Sequence, residues 1–253
     1  MTLLILEGFD TYNDNADASK KPYLSASANG YGSYGRFGSR GAYISGLTGF
    51  LRFSFEDRDT IYFGVAVKPN EAIEYNTGFP WIDINDSNLD YQLRLIVTSS
   101  GAIEVRNSGG ILGTTSNGLV QTSVWCYVEV YAFINNSTGA VTIRVNGNEE
   151  LSLTSVDTQS RTTDQISMVD FQLIYNADTY YDDIYFDSSQ FHGDIKVVTK
   201  LPSADGTYTD FTPSTGSNYQ NVDETTPDDD TTYNEGGAVG DKDTFDLPSG
   251  DLD

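Results

Sequence analysis

Basic residues are scarce in this chain of 253 residues. Its 14 lysines and arginines stand against 37 aspartates and glutamates, which gives a formal net charge of −23 at pH 7. Nucleic acids and anionic membrane surfaces are bound mainly through lysine and arginine. We therefore expect neither nucleic-acid binding nor membrane insertion. The expected partners are cations, neutral or basic protein surfaces, and uncharged ligands such as sugars.

Cysteine and histidine are nearly absent. Cys126 is the only cysteine, which excludes an internal disulfide, and its position in the apolar run Val124–Val128 predicts a buried, unreactive thiol. His192 is the only histidine, so any Ser-His, Cys-His or multi-histidine metal site would depend on it. It lies at a strand boundary with no nucleophile beside it, which favours a structural or exposed histidine over a general base.

Long apolar runs are missing as well. No stretch approaches the roughly 18 apolar residues that a membrane-spanning helix needs. The N-terminal run Leu3–Leu6 is too short for a signal peptide, and no basic residues precede it. We therefore expect a soluble chain that is made in the cytoplasm and not secreted.

Aromatic residues are abundant, with 17 tyrosines and 13 phenylalanines. Together with many Thr, Ser, Asn and Gly residues, this composition favours strands and turns over helices. Strand patterns recur about every 8–12 residues between Gly- and Asn-rich turns, as in a sandwich or barrel. One of them, Thr60–Val67, is an almost continuous apolar run and predicts a strand buried on both faces. We predict an all-β protein.

The strand patterns end near residue 200. Beyond it prolines accumulate, and residues 223–253 hold eleven acidic residues against one lysine, Lys242. We predict a β-sandwich over residues 1–200, followed by an extended acidic arm over residues 201–253 that makes contacts with other subunits.

Two adjacent acids, Asp182 and Asp183, interrupt an apolar strand. Because side chains alternate along a strand, one carboxylate is expected on each face, and an inward charge needs a partner. Calcium is the cation that carboxylate oxygens favour. Glu7 and Asp10, at the end of the first strand, are candidates for the remaining ligands. The alternative is that the pair caps a strand end and faces water.

The order of these segments resembles the concanavalin A-like lectin/glucanase sandwich, a jelly roll of two antiparallel sheets. The resemblance spans about residues 3–200, and the matching stretches are Leu4–Asp10, Arg36–Ala42, Trp125–Val130, Ile143–Gly147 and Tyr181–Tyr185. The glucanase branch carries a Glu-x-Asp-x-x-Glu strand motif with both catalytic carboxylates on one face. The nearest string here, Trp81–Asp86, has Trp81 where the first Glu belongs. We therefore expect no catalytic residues and no enzymatic activity.

The segment after the sandwich resembles a group of tailed-bacteriophage structural proteins in which a concanavalin A-like domain precedes such a segment. The stretches that carry this resemblance are Gly193–Val198, Pro202–Thr207, Phe211–Pro213, Asn221–Glu224, Pro227–Tyr233 and Val239–Phe245. It implies a virion component, of the tail or its fibres, whose partners are other virion proteins and copies of itself. Members of the group continue further, which predicts an early end at Asp253. A capsid decoration protein and a free glycan-binding or glycan-degrading lectin-like domain are the alternatives.

A lectin-like fold also implies a carbohydrate-binding face built from loop aromatics, for which Tyr31, Tyr34, Phe79 and Trp81 are the candidates. Tyr31 and Tyr34 lie in Gly30–Gly35, which matches G-x-G-x-x-G. Without a strand before it or a helix after it, this match predicts a flexible loop and not a dinucleotide site. For Trp81, a place in the hydrophobic core is the alternative. Host surface carbohydrate is the expected ligand.

Overall fold

The computed structural model describes residues 2–225, 228 and 231–249. It divides into two compact units. The first contains the residues up to Phe9 together with Asp14–Val197, and the second contains Asp10–Asn13 and the residues from Val198 onward. Part of the stretch Pro227–Tyr233 and the predicted chain end at Asp253 lie outside the described residues.

The first unit is a sandwich of two antiparallel sheets, which confirms the predicted all-β, jelly-roll architecture. Its strands are β1 (Leu3–Glu7), β2 (Leu24–Ala26), β3 (Gly30–Gly32), β4 (Gly41–Ile44), β5 (Phe50–Arg58), β6 (Thr60–Pro69), β7 (Ile82–Asn85), β8 (Tyr91–Val97), β9 (Ile103–Asn107), β10 (Gly110–Thr114), β11 (Cys126–Phe133), β12 (Gly139–Val145), β13 (Asn148–Val156), β14 (Ile166–Gln172) and β15 (Thr179–Asp187). The first sheet has the order β13-β12-β11-β6-β15-β4-β3, with β1 also paired to β15. The second sheet has the order β10-β9-β8-β7-β14-β5-β2.

Phenylalanines from both sheets meet in the core between them. Phe53 and Phe171 come from the second sheet, and Phe63 and Phe186 from the first. All four are fully buried, and their ring centroids lie 5.1–6.2 Å apart in tilted and edge-on pairs. Alternation along each strand places these side chains inward and leaves every second residue on the opposite face.

The outer face of the first sheet, which points away from this core, is covered in its middle. We call the segment Ser188–Val197, which follows β15 and lies over this face, the strap. Ile195 of the strap packs against Ala66, Tyr127 and Tyr185. The prediction that Thr60–Val67 is buried on both faces is confirmed for its second half, because Gly64 and Ala66 are buried on the side opposite the core, whereas Thr60 and Tyr62 on that side are half-buried.

Residues 10–35, expected from composition to be a long loop, contain short regular elements. These are helix α1 (Asn15–Ser19) and the edge strands β2 and β3. The Asp14 side chain begins the helix by accepting hydrogen bonds from the backbone N–H groups of Ala16 and Asp17. Elements this short have no detectable periodicity, and the two strands form because β5 pairs with β2 and β4 pairs with β3. Within the described residues, no helix is long and apolar enough to cross a bilayer.

The second unit has local structure of its own. Strand β16 (Ala204–Thr209) pairs with β19 (Asp243–Asp246), and the two-residue strands β17 (Thr212–Pro213) and β18 (Asn234–Glu235) pair with each other. Polar side chains hold these pieces together. Buried Asn218 donates to the Phe211 carbonyl and to Asp243, over 3.0 and 2.8 Å. Such polar contacts leave no hydrophobic pattern in the sequence.

We predict that Trp81→Phe lowers the free energy of unfolding by about 2 kcal/mol or more in urea titration. The Trp81 indole N–H donates to the Tyr181 hydroxyl over 2.8 Å, and Tyr181 in turn donates to the Gln172 carbonyl. The substitution removes ring volume and leaves one buried hydroxyl without its donor. Trp125→Phe, at a half-buried position, is the matched control and should cost less. Equal losses for the two variants would contradict this account.

Candidate functional site

Two of the four predicted glycan contacts, Tyr31 and Trp81, are wrong because both side chains are buried. Trp81 is 1% exposed and is bonded within the core. Tyr31 is 7% exposed, because its pairing with Ala42 in the β3–β4 register turns it inward, and its ring lies 5.9 Å from that of Phe9.

The other two candidates lie in separate clusters. Phe79 is half-buried and contacts Tyr175, with ring centroids 5.0 Å apart. Tyr34 is 37% exposed and stacks on Tyr180 at 5.3 Å with an interplanar angle of 10°. Its ring is also 5.3 Å from that of Tyr43. Tyr34 therefore belongs to a larger group, most of which the sequence did not reveal.

This group forms a row across the outer face of the first sheet. We call it the aromatic platform, and it consists of Tyr34, Tyr43, Lys68, Trp125 and Tyr180. Strand register creates the row, because Lys68 stands opposite Tyr180 and Tyr180 opposite Tyr43. The Lys68 ammonium lies 4.7 Å from the centroid of the Tyr180 ring and 5.2 Å from that of Trp125. The residues come from five separate segments of the chain, so no local motif marks them.

The platform is held in place by a few polar contacts. The Tyr43 hydroxyl donates to Asp178 over 2.5 Å, and this hydrogen bond raises the pKa of Tyr43. Lys68 lies between two rings, where cation–π attraction holds its ammonium. It forms no ion pair or hydrogen bond through that ammonium with any described residue. A row of rings with one unpaired cation can bind a flat, partly apolar ligand that also carries polar groups.

A groove of about 500 Å³ opens elsewhere on the same face. We call it the tyrosine groove. Tyr62 and Tyr131 stand directly opposite each other in β6 and β11, with ring centroids 4.6 Å apart. Phe191 of the strap meets Tyr62 edge-on at 5.1 Å. Arg144 and Glu149 line the rest of the groove, with strap residues and Thr142. Tyr62 and Lys68 are six positions apart in β6, so the groove and the platform lie about 20 Å apart.

Between these two zones, the strap covers a cluster of charges. The prediction that Asp182 and Asp183 point to opposite faces is wrong, because β15 bulges between Asp182 and Tyr185 and Asp183 has a φ of +50°. The bulge breaks the alternation. Asp182 accepts from the Arg36 backbone N–H over 2.7 Å, and Asp183 lies 3.6 Å from the Arg36 guanidinium. Both carboxylates therefore face the segment around Arg36.

The predicted calcium ligands are occupied by protein donors. Glu7 accepts from the Phe9 backbone N–H over 2.8 Å, and Asp183 accepts from the Val197 backbone N–H over 2.7 Å. Asp10 belongs to the second unit. In residues 2–225, 228 and 231–249, no group of three or more His, Cys, Asp or Glu side chains is placed to hold a metal ion. Calcium binding at Glu7, Asp10, Asp182 and Asp183 stays a prediction.

His192 anchors the strap. Its Nε2 lies 3.0 Å from Asp187 Oδ2, and its ring meets that of Tyr185 edge-on at 4.9 Å. Buried Glu129 accepts from the Tyr185 hydroxyl over 2.5 Å and from the Gly193 backbone N–H over 2.8 Å. Of the two roles expected for this histidine, structural or exposed, these contacts support the structural one. The expected burial of the Cys126 thiol is also confirmed, and this burial raises the pKa of Cys126 to about 12.

No protein-family model matches the chain, and no curated protein sequence matches it. Solved structures do. Cellulose induced protein, Cip1, is 14% identical, with 74% of this chain and 99% of that chain covered and a TM-score of 0.54. The binding domain of botulinum neurotoxin DC, solved with rat synaptotagmin II, is 13% identical, with coverages of 75% and 48% and a TM-score of 0.50. At such identities the likeness shows the fold alone. It gives no support to the resemblance to phage proteins, which rests on the sequence stretches.

The prediction that the chain is not an enzyme is contradicted by further matches. Alginate lyase Aly36B is 13% identical, with 74% of this chain and 98% of that chain covered and a TM-score of 0.46. Trypanosoma rangeli sialidase is 12% identical, with coverages of 67% and 28% and a TM-score of 0.47. Enzymes are thus among the solved structures that the chain matches. The missing Glu-x-Asp-x-x-Glu motif excludes one glucanase arrangement and not catalysis in general.

We predict that stability falls as the pH rises from about 4 to 7. Burial, helped by the charge of Asp183, raises the pKa of Asp182 to about 7, against about 3.9 in an unfolded chain. The folded state therefore binds the extra proton in this range, and that stabilisation is lost as the pH rises through 7. Asp83, whose pKa burial raises to about 6, acts in the same direction.

Asp182→Asn should reduce the fall in unfolding free energy between pH 5 and pH 8 by about 2 kcal/mol, measured by urea titration at both values. The matched control is Asp57→Asn, at an exposed position, which should leave the fall as in the wild type. An unchanged fall in the Asp182 variant would contradict the assignment.

Proposed function

We propose that the sandwich binds a polysaccharide on the outer face of its first sheet, with the aromatic platform as the main contact. The observation that carries this proposal is the row of rings itself. Tyr34, Tyr43 and Tyr180 lie within 5.3 Å of one another on the face that points away from the core. Sugar rings present flat C–H faces that pack on such side chains, while their hydroxyls bond to polar groups at the rim.

Two further features support a sugar ligand. Apolar side chains on a surface are stabilised when a ligand removes them from water, and clusters of this kind mark binding sites. The net charge of −23 repels nucleic acids and anionic membranes, but it does not repel a neutral sugar. Asp178, which fixes the Tyr43 hydroxyl, and the Lys68 ammonium supply an acceptor and a donor beside the rings.

We further propose that this binding serves a tailed-phage particle, in which the chain is a tail or fibre component that recognises host surface carbohydrate. The support is the ordered run of sequence stretches from Gly193 to Phe245. The second unit also exposes apolar side chains suited to contacts with other virion proteins or with further copies of the chain. They include Tyr208 at 49%, Tyr233 at 52% and Leu247 at 55% exposed.

We predict that Tyr180→Ala weakens polysaccharide binding about tenfold or more, because it removes the ring shared by Tyr34, Tyr43 and Lys68. Affinity electrophoresis of the full chain through gels containing host surface polysaccharide measures the effect. Tyr180→Phe keeps the ring and should bind as the wild type does. Tyr208→Ala removes an exposed tyrosine of the second unit and is the matched control. Release of reducing ends is followed in the same mixtures, because enzymes share the fold.

Retention of binding by Tyr180→Ala, or an equal loss with Tyr208→Ala, would overturn the platform as the binding surface.

The particle assignment makes a separate prediction. Antibody labelling of intact phage particles in electron micrographs should place the chain on the tail or its fibres. Label over the capsid would favour the head decoration alternative and contradict the tail assignment, while leaving the platform untouched.

A further inference from the structure

Arg144 differs from the other arginines in the contacts of its guanidinium group. All eight arginines lie in the part of the chain that the structure describes. Seven use their guanidinium groups on the protein itself, through ion pairs or hydrogen bonds: Arg36 with Asp194, Arg40 with the Tyr31 carbonyl, Arg52 with Asp170, Arg58 with the Glu56 carbonyl, Arg94 with Asp83, Arg106 with Glu104 and Arg161 with Asp90. Arg144 alone has neither kind of partner among the described residues, although the chain carries 37 acidic residues.

The Arg144 side chain is nevertheless held in place. Its guanidinium carbon lies 4.2 Å from the centroid of the Phe191 ring, and the planar group stacks there by cation–π attraction. Glu149 is its partner in the β12–β13 register, yet the two form no ion pair. The five N–H donors of the guanidinium therefore remain available at the wall of the tyrosine groove.

The rest of the groove suits a sugar ring. Tyr62 and Tyr131 present their rings side by side at 4.6 Å, and Glu149, Ser189 and Gln190 add polar groups around them. A guanidinium binds carboxylate and sulfate groups through paired hydrogen bonds. We propose that the tyrosine groove binds an acidic sugar unit, whose ring packs on Tyr62 and Tyr131 and whose carboxylate or sulfate binds Arg144. This inference rests on the proposed polysaccharide binding and specifies its ligand class.

The position of the groove relative to the platform supports an extended acidic chain as the ligand. Tyr62 and Lys68 lie on the same face of β6, about 20 Å apart. Each zone therefore offers one cation, Lys68 or Arg144, that lies against aromatic rings and has no acidic partner in the part of the chain that the structure describes. The net charge of −23 repels a polyanion at long range, so a preference for an acidic polysaccharide has to arise from these local contacts.

Calorimetric titration of the full chain at physiological salt tests the inference, with polygalacturonate, dextran sulfate and neutral dextran as probes. We expect the wild type to bind at least one acidic polymer about tenfold more tightly than dextran. The polymer preferred tells whether the groove selects a carboxylate or a sulfate. Arg144→Gln should abolish the preference, and Arg144→Lys should restore part of it. Arg58→Gln, on the second sheet, is the control and should keep the wild-type preference.

The two proposals fail in different ways. If the wild type binds neutral and acidic polymers equally, or if Arg144→Gln keeps the preference, the acidic-sugar inference is overturned. The platform then still stands, provided that Tyr180→Ala weakens binding. If instead Tyr180→Ala has no effect on binding while Arg144→Gln abolishes it, the platform proposal is overturned and the groove is retained.

Discussion

The bulge in β15 at Asp183 is the constraint on which the outer face of the first sheet depends. By breaking the side-chain alternation, it places two neighbouring carboxylates on the same side of the sheet. Those carboxylates bind the Arg36 segment and the end of the strap. The strap then covers the middle of a face that would otherwise be exposed from edge to edge, and the platform and the tyrosine groove remain open.

This arrangement buries charge, and the protein stabilises it with donors from several segments. Arg36 forms a two-pronged pair with Asp194 of the strap at 2.6 and 2.8 Å and also approaches Asp183. The backbone N–H groups of Arg36 and Gly193 donate hydrogen bonds to Asp182 and Glu129, respectively. Buried charges are tolerated when such partners are present. Asp182 and Asp183, which resemble a calcium site in the sequence, therefore already accept hydrogen bonds from protein donors.

The fold could be predicted from the sequence because apolar strand patterns and turn residues are local signals, as in the apolar run Thr60–Val67. Short edge strands such as β3 could not, since three residues carry no period. Of the residues in the proposed binding surface, only Tyr34 was predictable. Tyr43, Lys68, Trp125 and Tyr180 are brought together by strand register, which the sequence does not encode locally. The interpretation of Trp81 as a ligand contact was wrong because Trp81 is buried. The local sequence of a short apolar stretch does not indicate whether its tryptophan packs into the core or faces solvent.

The central claim is that the outer face of the first sheet binds polysaccharide. The most direct test is a crystal structure of the chain with a bound acidic oligosaccharide. The account predicts sugar rings stacked on Tyr180 or on the Tyr62–Tyr131 pair, with an acidic group bonded to Arg144. Sugar bound only to the second sheet or to the second unit would contradict it.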